Sequence, residues 1–165
     1  MLFRSGGDSV DSEPFYSWGA LLPLLEDMEL IDLDPLDGLV FGAEGTEPGT
    51  ARLATPQGTY RVEVDDRATR LLLEEDTVFE ANRRGRFRDL RVSRSEVSVE
   101  LPELPEGADV RVRAGAEIER VRLGGQPMEF LGAGVSEGSP PLLCVVVPPT
   151  ATPRRLLVEL RVDAP

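Results

Sequence analysis

The sequence predicts a mainly β fold, an antiparallel β-sandwich preceded by one α-helix. Three observations carry this. From residue 51 onward, about ten short Val-, Leu- and Arg-rich stretches alternate with Gly- and Pro-containing turns, the spacing of a sandwich. Within them Val97, Val99 and Leu101 alternate with polar residues, the period of a strand with one face in a core. The first 36 residues differ in kind: they are Leu-rich, and Val10 and Ile31 are their only β-branched residues. The boundary falls near Leu36–Leu39, dividing a unit of residues 1–36 from a β-unit of residues 37–165.

The helix is expected over 14–31. Asp11 or Ser12 can cap it, while Glu13 and Pro14 suit a first turn, where negative charge meets the helix dipole. Trp18, Leu21, Leu22 and Leu25 then recur at helical spacing. Pro23 removes one hydrogen bond and predicts a kink. Leu24, Met28, Leu30 and Ile31 make a second side apolar, so this helix belongs within a larger helical body.

Strands are expected at 51–55 and 59–66 around the turn Pro56-Gln57-Gly58, then at 70–73 and 77–80. Further strands are expected at 86–92, 96–101, 110–113, 118–123 and 128–131. Leu142–Val147 is a continuous apolar run, read as a central strand with Cys144 buried, and 155–162 closes the series.

Composition removes several chemistries. With 18 basic against 30 acidic residues the net charge is −12, which argues against nucleic acid or an anionic membrane as partner. All the basic residues are arginine and histidine is absent, so His-based triads and imidazole metal sites are excluded. One cysteine permits no internal disulfide, and no metal or cofactor motif is found. No apolar run reaches the roughly 20 residues of a membrane span, and the start MLFRSGGDSV has one Arg with no apolar stretch behind it, unlike a signal peptide, so a cytoplasmic location is expected.

Charged clusters read mostly as surface. Glu26, Asp27, Glu29, Asp32 and Asp34 lack the order of a calcium loop and suit a solvated helix end. Glu74-Glu75-Asp76 reads as a turn. Arg83, Arg84, Arg86, Arg88, Arg91 and Arg94 are expected on a hairpin, paired with carboxylates across strands. Tyr16 and Trp18 stand apart, because they concentrate polar aromatics in an aromatic-poor chain. They form either a packed helix end or a sugar subsite, where flat rings stack on C–H faces.

The segment 14–42 resembles the closing helix and exit of the catalytic domain in inverting (α/α)6-barrel glycoside hydrolases. The resemblance is to the group related to mannosylglycerate hydrolase and processing α-glucosidase I. It rests on Tyr16-Ser17-Trp18-Gly19-Ala20-Leu21, Glu29-Leu30-Ile31-Asp32, Asp37-Gly38-Leu39 and Phe41-Gly42. It implies that residues 1–36 are a helix left over from the barrel, with Tyr16 and Trp18 binding substrate. The partner is then carbohydrate, bound through a parent catalytic domain. Inversion needs an acid and a base carboxylate; both map upstream of Met1, so no catalytic residue is assigned here. Leu2-Phe3-Arg4-Ser5 is also what a common sequencing-adapter end encodes, so residues 1–5 are an expected assembly artefact. The rival reading is a stand-alone β-sandwich that binds carbohydrate or a partner without catalysis.

Overall fold

The computed structural model describes residues 30–36, 38–45, 48–134 and 142–161, with the backbone alone at 131–134. The expected helix therefore lies outside the described residues, except for its last two positions. The strands, in chain order, begin with β1 (Ile31–Asp34), β2 (Gly38–Phe41), β3 (Gly49–Thr55), β4 (Gly58–Val64) and β5 (Thr69–Leu73). Next come β6 (Asp76–Ala81), β7 (Arg88–Val92), β8 (Glu96–Leu101), β9 (Ala108–Arg113) and β10 (Ile118–Leu123). The series ends with β11 (Gln126–Pro127), β12 (Leu131–Gly134), β13 (Leu142–Val147) and β14 (Arg154–Leu160).

Among the described residues every strand pair is antiparallel. A seven-stranded sheet has the order β12-β13-β9-β6-β5-β4-β3, and a five-stranded sheet the order β11-β10-β14-β8-β7. Their inward faces share one core: Val62, Leu71, Phe79, Val110, Val112 and Leu143 from the first, Val97, Val99, Val121, Leu156 and Val158 from the second. The chain is thus mainly β, in the arrangement of a sandwich. Alternation makes this possible, since every second residue of β9 and β13 turns inward.

Local chemistry sets the turns. Gly124 and Gly125, at φ 55° and 83°, supply the left-handed pair that a tight hairpin between β10 and β11 requires. Asp65 accepts hydrogen bonds from the amides of Arg67 and Ala68, closing the turn from β4 to β5. Those two bonds hold its carboxyl below the usual carboxylate range. The turn at Glu74-Glu75 stands where it was expected; the Glu74 side chain accepts from the Thr59 amide at 2.8 Å.

β1 and β2 form a separate hairpin whose turn contains the 36/37 boundary. β2 lies beside β7 and β1 beside β3, so the hairpin flanks both larger sheets. It is tied in by paired amide–carbonyl bonds between Phe41 and Phe87, at 3.0 and 2.9 Å. Phe41, Phe79 and Phe87 then meet with ring centroids 4.6–5.5 Å apart, all fully buried. This cluster joins hairpin, sheet and loop.

Four expectations change. Ile31 itself is not helical: directly after Leu30, the last helical residue, it pairs with Phe41 in β1 and is buried in the sheet core. Cys144 is only half-buried, because β13 turns Leu143, Val145 and Val147 inward and Leu142, Cys144 and Val146 to the outer face. The run is apolar on both faces, yet only one meets the core. The strand expected at 128–131 starts instead at Leu131, since Met128 donates to the Val121 carbonyl at the end of the β10–β11 hairpin. Residues 86 and 87 precede β7, where Phe87 is held by its bridge to Phe41.

Candidate functional site

Tyr16 and Trp18 lie outside the described residues. Within those residues, ionisable side chains gather in three places. The first is the outer face of the seven-stranded sheet. Register brings Glu63, Arg70, Glu80, Arg111 and Cys144 into one row across β4, β5, β6, β9 and β13. Arg70 bonds Glu63 and Glu80 at 3.2 Å each, and Arg111 bonds Glu80 at 3.2 Å. Glu80's charge and the hydrogen bonds Arg111 makes to Cys144 and Glu80 raise the pKa of the Arg111 guanidinium. Alternating charges at cross-strand spacing stabilise the sheet and leave no uncompensated group for chemistry.

The second is a clamp on β7. Asp89, 8% exposed, sits at a register shift between Arg88 and Arg91 with φ 49°. Its carboxylate accepts from Arg91 Nε and Arg155 Nη2, both at 2.6 Å. Burial alone would raise its pKa; the hydrogen bonds from Arg91 and Arg155 outweigh that and hold the carboxyl below its ordinary value. The stability it contributes is therefore complete above the ordinary Asp value near 4 and is lost as pH falls through the lowered native value. Asp89→Asn keeps a side chain that tolerates positive φ and should cost roughly 1.5–3 kcal/mol at pH 7. Urea unfolding at pH 7 and at pH 3 should show that difference shrinking in acid.

The third is the arginine run. Three of its six arginines, Arg83, Arg84 and Arg86, reach main-chain carbonyls of other loops, and Arg83, Arg84 and Arg91 have carboxylate neighbours. Arg83 donates to the Gly107 carbonyl and pairs with Glu106 at 2.9 Å. Arg84 donates to the carbonyls of Asp65 and Gly45, and Arg86 to that of Gly42 at 2.9 Å. Arg91 pairs with Asp89 as described. These bonds draw the 65–68, 82–86 and 102–107 loops together around an open groove of about 310 Å³. Arg67, Arg83, Arg84, Asp66, Glu103 and Glu106 contribute its polar lining, and Leu104 and Pro105 its apolar part.

The groove walls are braced. Leu104 and Thr150 exchange main-chain bonds at 3.0 and 2.8 Å, and the Thr150 hydroxyl accepts a further bond from the Leu104 amide. Asn82 bonds Asp109 through both its side-chain oxygen and its side-chain nitrogen. Arg84 is the most enclosed of the charged lining residues: its side chain is 13% exposed, and its Nη2 is buried with no hydrogen-bond partner among the described residues. Asp66, at 3.9 Å, gives that nitrogen a charge neighbour but no hydrogen bond.

The arginine cluster is visible in the sequence, and the groove is not. The main-chain carbonyls its arginines reach are 19 to 44 residues away in the chain, so no local spacing encodes them. Among the described residues no cluster of three or more His, Cys, Asp or Glu side chains could hold a metal ion, and no helix is long and apolar enough to cross a membrane. No family model, curated protein or solved structure matches the chain significantly.

Proposed function

We propose that this chain is the C-terminal portion of an inverting (α/α)6-barrel glycoside hydrolase acting on α-linked glycosides. Its N-terminal unit is the closing barrel helix, and its β-unit is a non-catalytic buttress against the barrel's end. The observation that carries this reading is the course of residues 31–42. They belong to the segment that resembles the barrel exit, and they enter the sheet core directly. Ile31, Leu39, Val40 and Phe41 are buried, and the Gly42 amide donates to the Leu30 carbonyl at 2.8 Å. A chain leaving a catalytic domain here would be attached to the β-unit by packing as well as by covalent connection.

In this reading Tyr16 and Trp18 contribute to the sugar site, and the acid and base carboxylates come from upstream sequence. The polypeptide alone is expected to hydrolyse no aryl or natural α-glycoside. Purified turnover that disappears on changing Asp8, Asp11 or Glu13 would overturn the assignment.

In an upstream-extended parent, Trp18→Ala should lower kcat/KM by roughly 10–100-fold, because a stacked ring orients the reacting sugar in the transition state. A packing tryptophan would instead cost about 3–5 kcal/mol of stability and leave the rate per folded molecule intact. Melting temperature and kcat/KM measured on one preparation distinguish the two outcomes.

A further inference from the structure

We propose that the open edge of the seven-stranded sheet, along β3, docks an extended segment of a partner protein in which an acidic residue stands among alternating apolar ones. The site lies wholly within the β-unit and does not depend on a glycosidase parent. Hydrogen bonding fixes what the edge offers. The Thr59 amide donates to the Glu74 side chain and the Thr59 carbonyl accepts from the Glu74 amide, so Thr59 turns its main chain toward β5. Arg61 and Glu63, further along β4, turn the same way, because antiparallel pairs alternate. The β3 residues opposite these three are Ala54, Arg52 and Thr50, whose amides and carbonyls therefore point away from β4. All three are exposed, and β3 ends the strand order. Leu30 lies over Gly49 at the start of the strand; beyond it the edge is open.

The other sheet edges are blunted. β11 is two residues long and ends in Pro127, and β12 has a register shift between Leu131 and Gly134. β7 has one between Arg88 and Arg91, with the β1–β2 hairpin beside it. Short length, proline, irregularity and cover keep a foreign strand off an edge. β3 has none of these along residues 50–55: it runs in unbroken register without proline. Such an edge accepts a further strand through main-chain bonds, and its side chains choose the sequence. On the outer face Arg52 stands directly opposite Arg61. Arg61 is neutralised by Glu63 and Glu75, at 3.1 and 3.8 Å, whereas Arg52 has no hydrogen-bond or ion-pair partner among the described residues. An acid opposite Arg52 completes that row. On the inner face Ala51 is buried and Leu53 packs half-buried against the core, so apolar side chains beside them extend it. Arg52 also decides against a second copy of the chain. Antiparallel self-pairing through all three outward residues sets Arg52 opposite Arg52, between molecules that each carry a net charge of −12.

Titration of the full chain with the end-blocked peptide Ser-Val-Thr-Val-Glu-Val-Thr-Val-Ser, followed by calorimetry and amide hydrogen exchange, tests this. Saturable binding is expected, with new protection at the amides of Thr50, Arg52 and Ala54. Arg52→Glu, which gains an opposite charge across from Arg61 and so keeps the fold, should weaken binding about tenfold, the effect of one hydrogen bond between charged groups. Replacing the peptide's glutamate by lysine should weaken binding to the parent chain equally, and the lysine peptide should recover affinity for Arg52→Glu. Ala54→Pro removes an outward amide that the β3–β4 ladder does not use, and should abolish binding; the charge exchange decides alone if that variant does not fold. The proposal is overturned if the peptide does not bind at millimolar concentration, or if the glutamate and lysine peptides bind the parent chain equally. Protection confined to amides outside β3 would also overturn it. So would protection of the three amides in the peptide-free chain that rises with protein concentration, which would make a second copy the occupant of the edge.

Discussion

Phe41→Ala is expected to destabilise the fold by about 3–5 kcal/mol. The ring is fully buried between Phe79, at 5.1 Å and edge-on, and Phe87, at 5.5 Å and stacked. Phe79 belongs to the seven-stranded sheet, Phe87 to the loop entering the five-stranded sheet, and Phe41 to the hairpin. Removing it leaves a cavity at the meeting point of all three, where no single element can relax to fill the space. Against the ordinary 5–15 kcal/mol of a folded domain, such a loss is a large fraction. Urea denaturation should show the midpoint falling with little change in slope. A loss under about 1 kcal/mol would mean that the aromatic cluster does not hold the hairpin to the sheets.

Gly42→Ala should be comparably severe, at roughly 2–5 kcal/mol, for a different reason. Gly42 has φ 85°, and a Cβ there would lie 2.2 Å from the Gly85 carbonyl oxygen and 2.9 Å from Thr69 Cγ2. Both the backbone conformation and the space exclude a side chain. Main chain approaches main chain at this point, so no rotamer change can relieve the contact. Thermal unfolding should show a large fall in Tm, and Gly45→Ala is the matching control, with nothing within 4 Å of its added methyl. Equal behaviour of the two variants would contradict the close approach.

The strands are legible in the sequence wherever one face is wet. β8 and β9 show the period-two alternation, and the turns at Pro56-Gln57 and Glu74-Glu75 are marked by their residue types. β1 is hidden although its pattern is present: Ile31-Asp32-Leu33-Asp34 alternates strictly. The apolar residues before it, at helical spacing, absorb Ile31 into a longer stripe. Cys144 misleads because a run apolar on both faces carries no information about which face is covered. The hydrogen bonds that join the loops are invisible for a third reason. Arg84 reaches Gly45 across 39 residues, and side chain-to-carbonyl contacts leave no trace in residue type. Tyr16 and Trp18 are legible as an aromatic cluster, and their function rests on the resemblance alone.

The position of β14 has a consequence for how the chain acquires its structure. Residues 154–160 lie between β8 and β10, in the middle of the five-stranded sheet, and pair with residues as far back as Glu96. The meander from β3 to β6 needs only sequence-local pairings and can form early. The five-stranded sheet cannot. On a ribosome adding about 5–20 residues per second, β8 must wait several seconds for its central neighbour, with an open edge exposed meanwhile. Folding of this sheet is therefore completed only after residue 160 has cleared the exit tunnel, and the interval before that is when the nascent chain is most vulnerable to pairing with other strands.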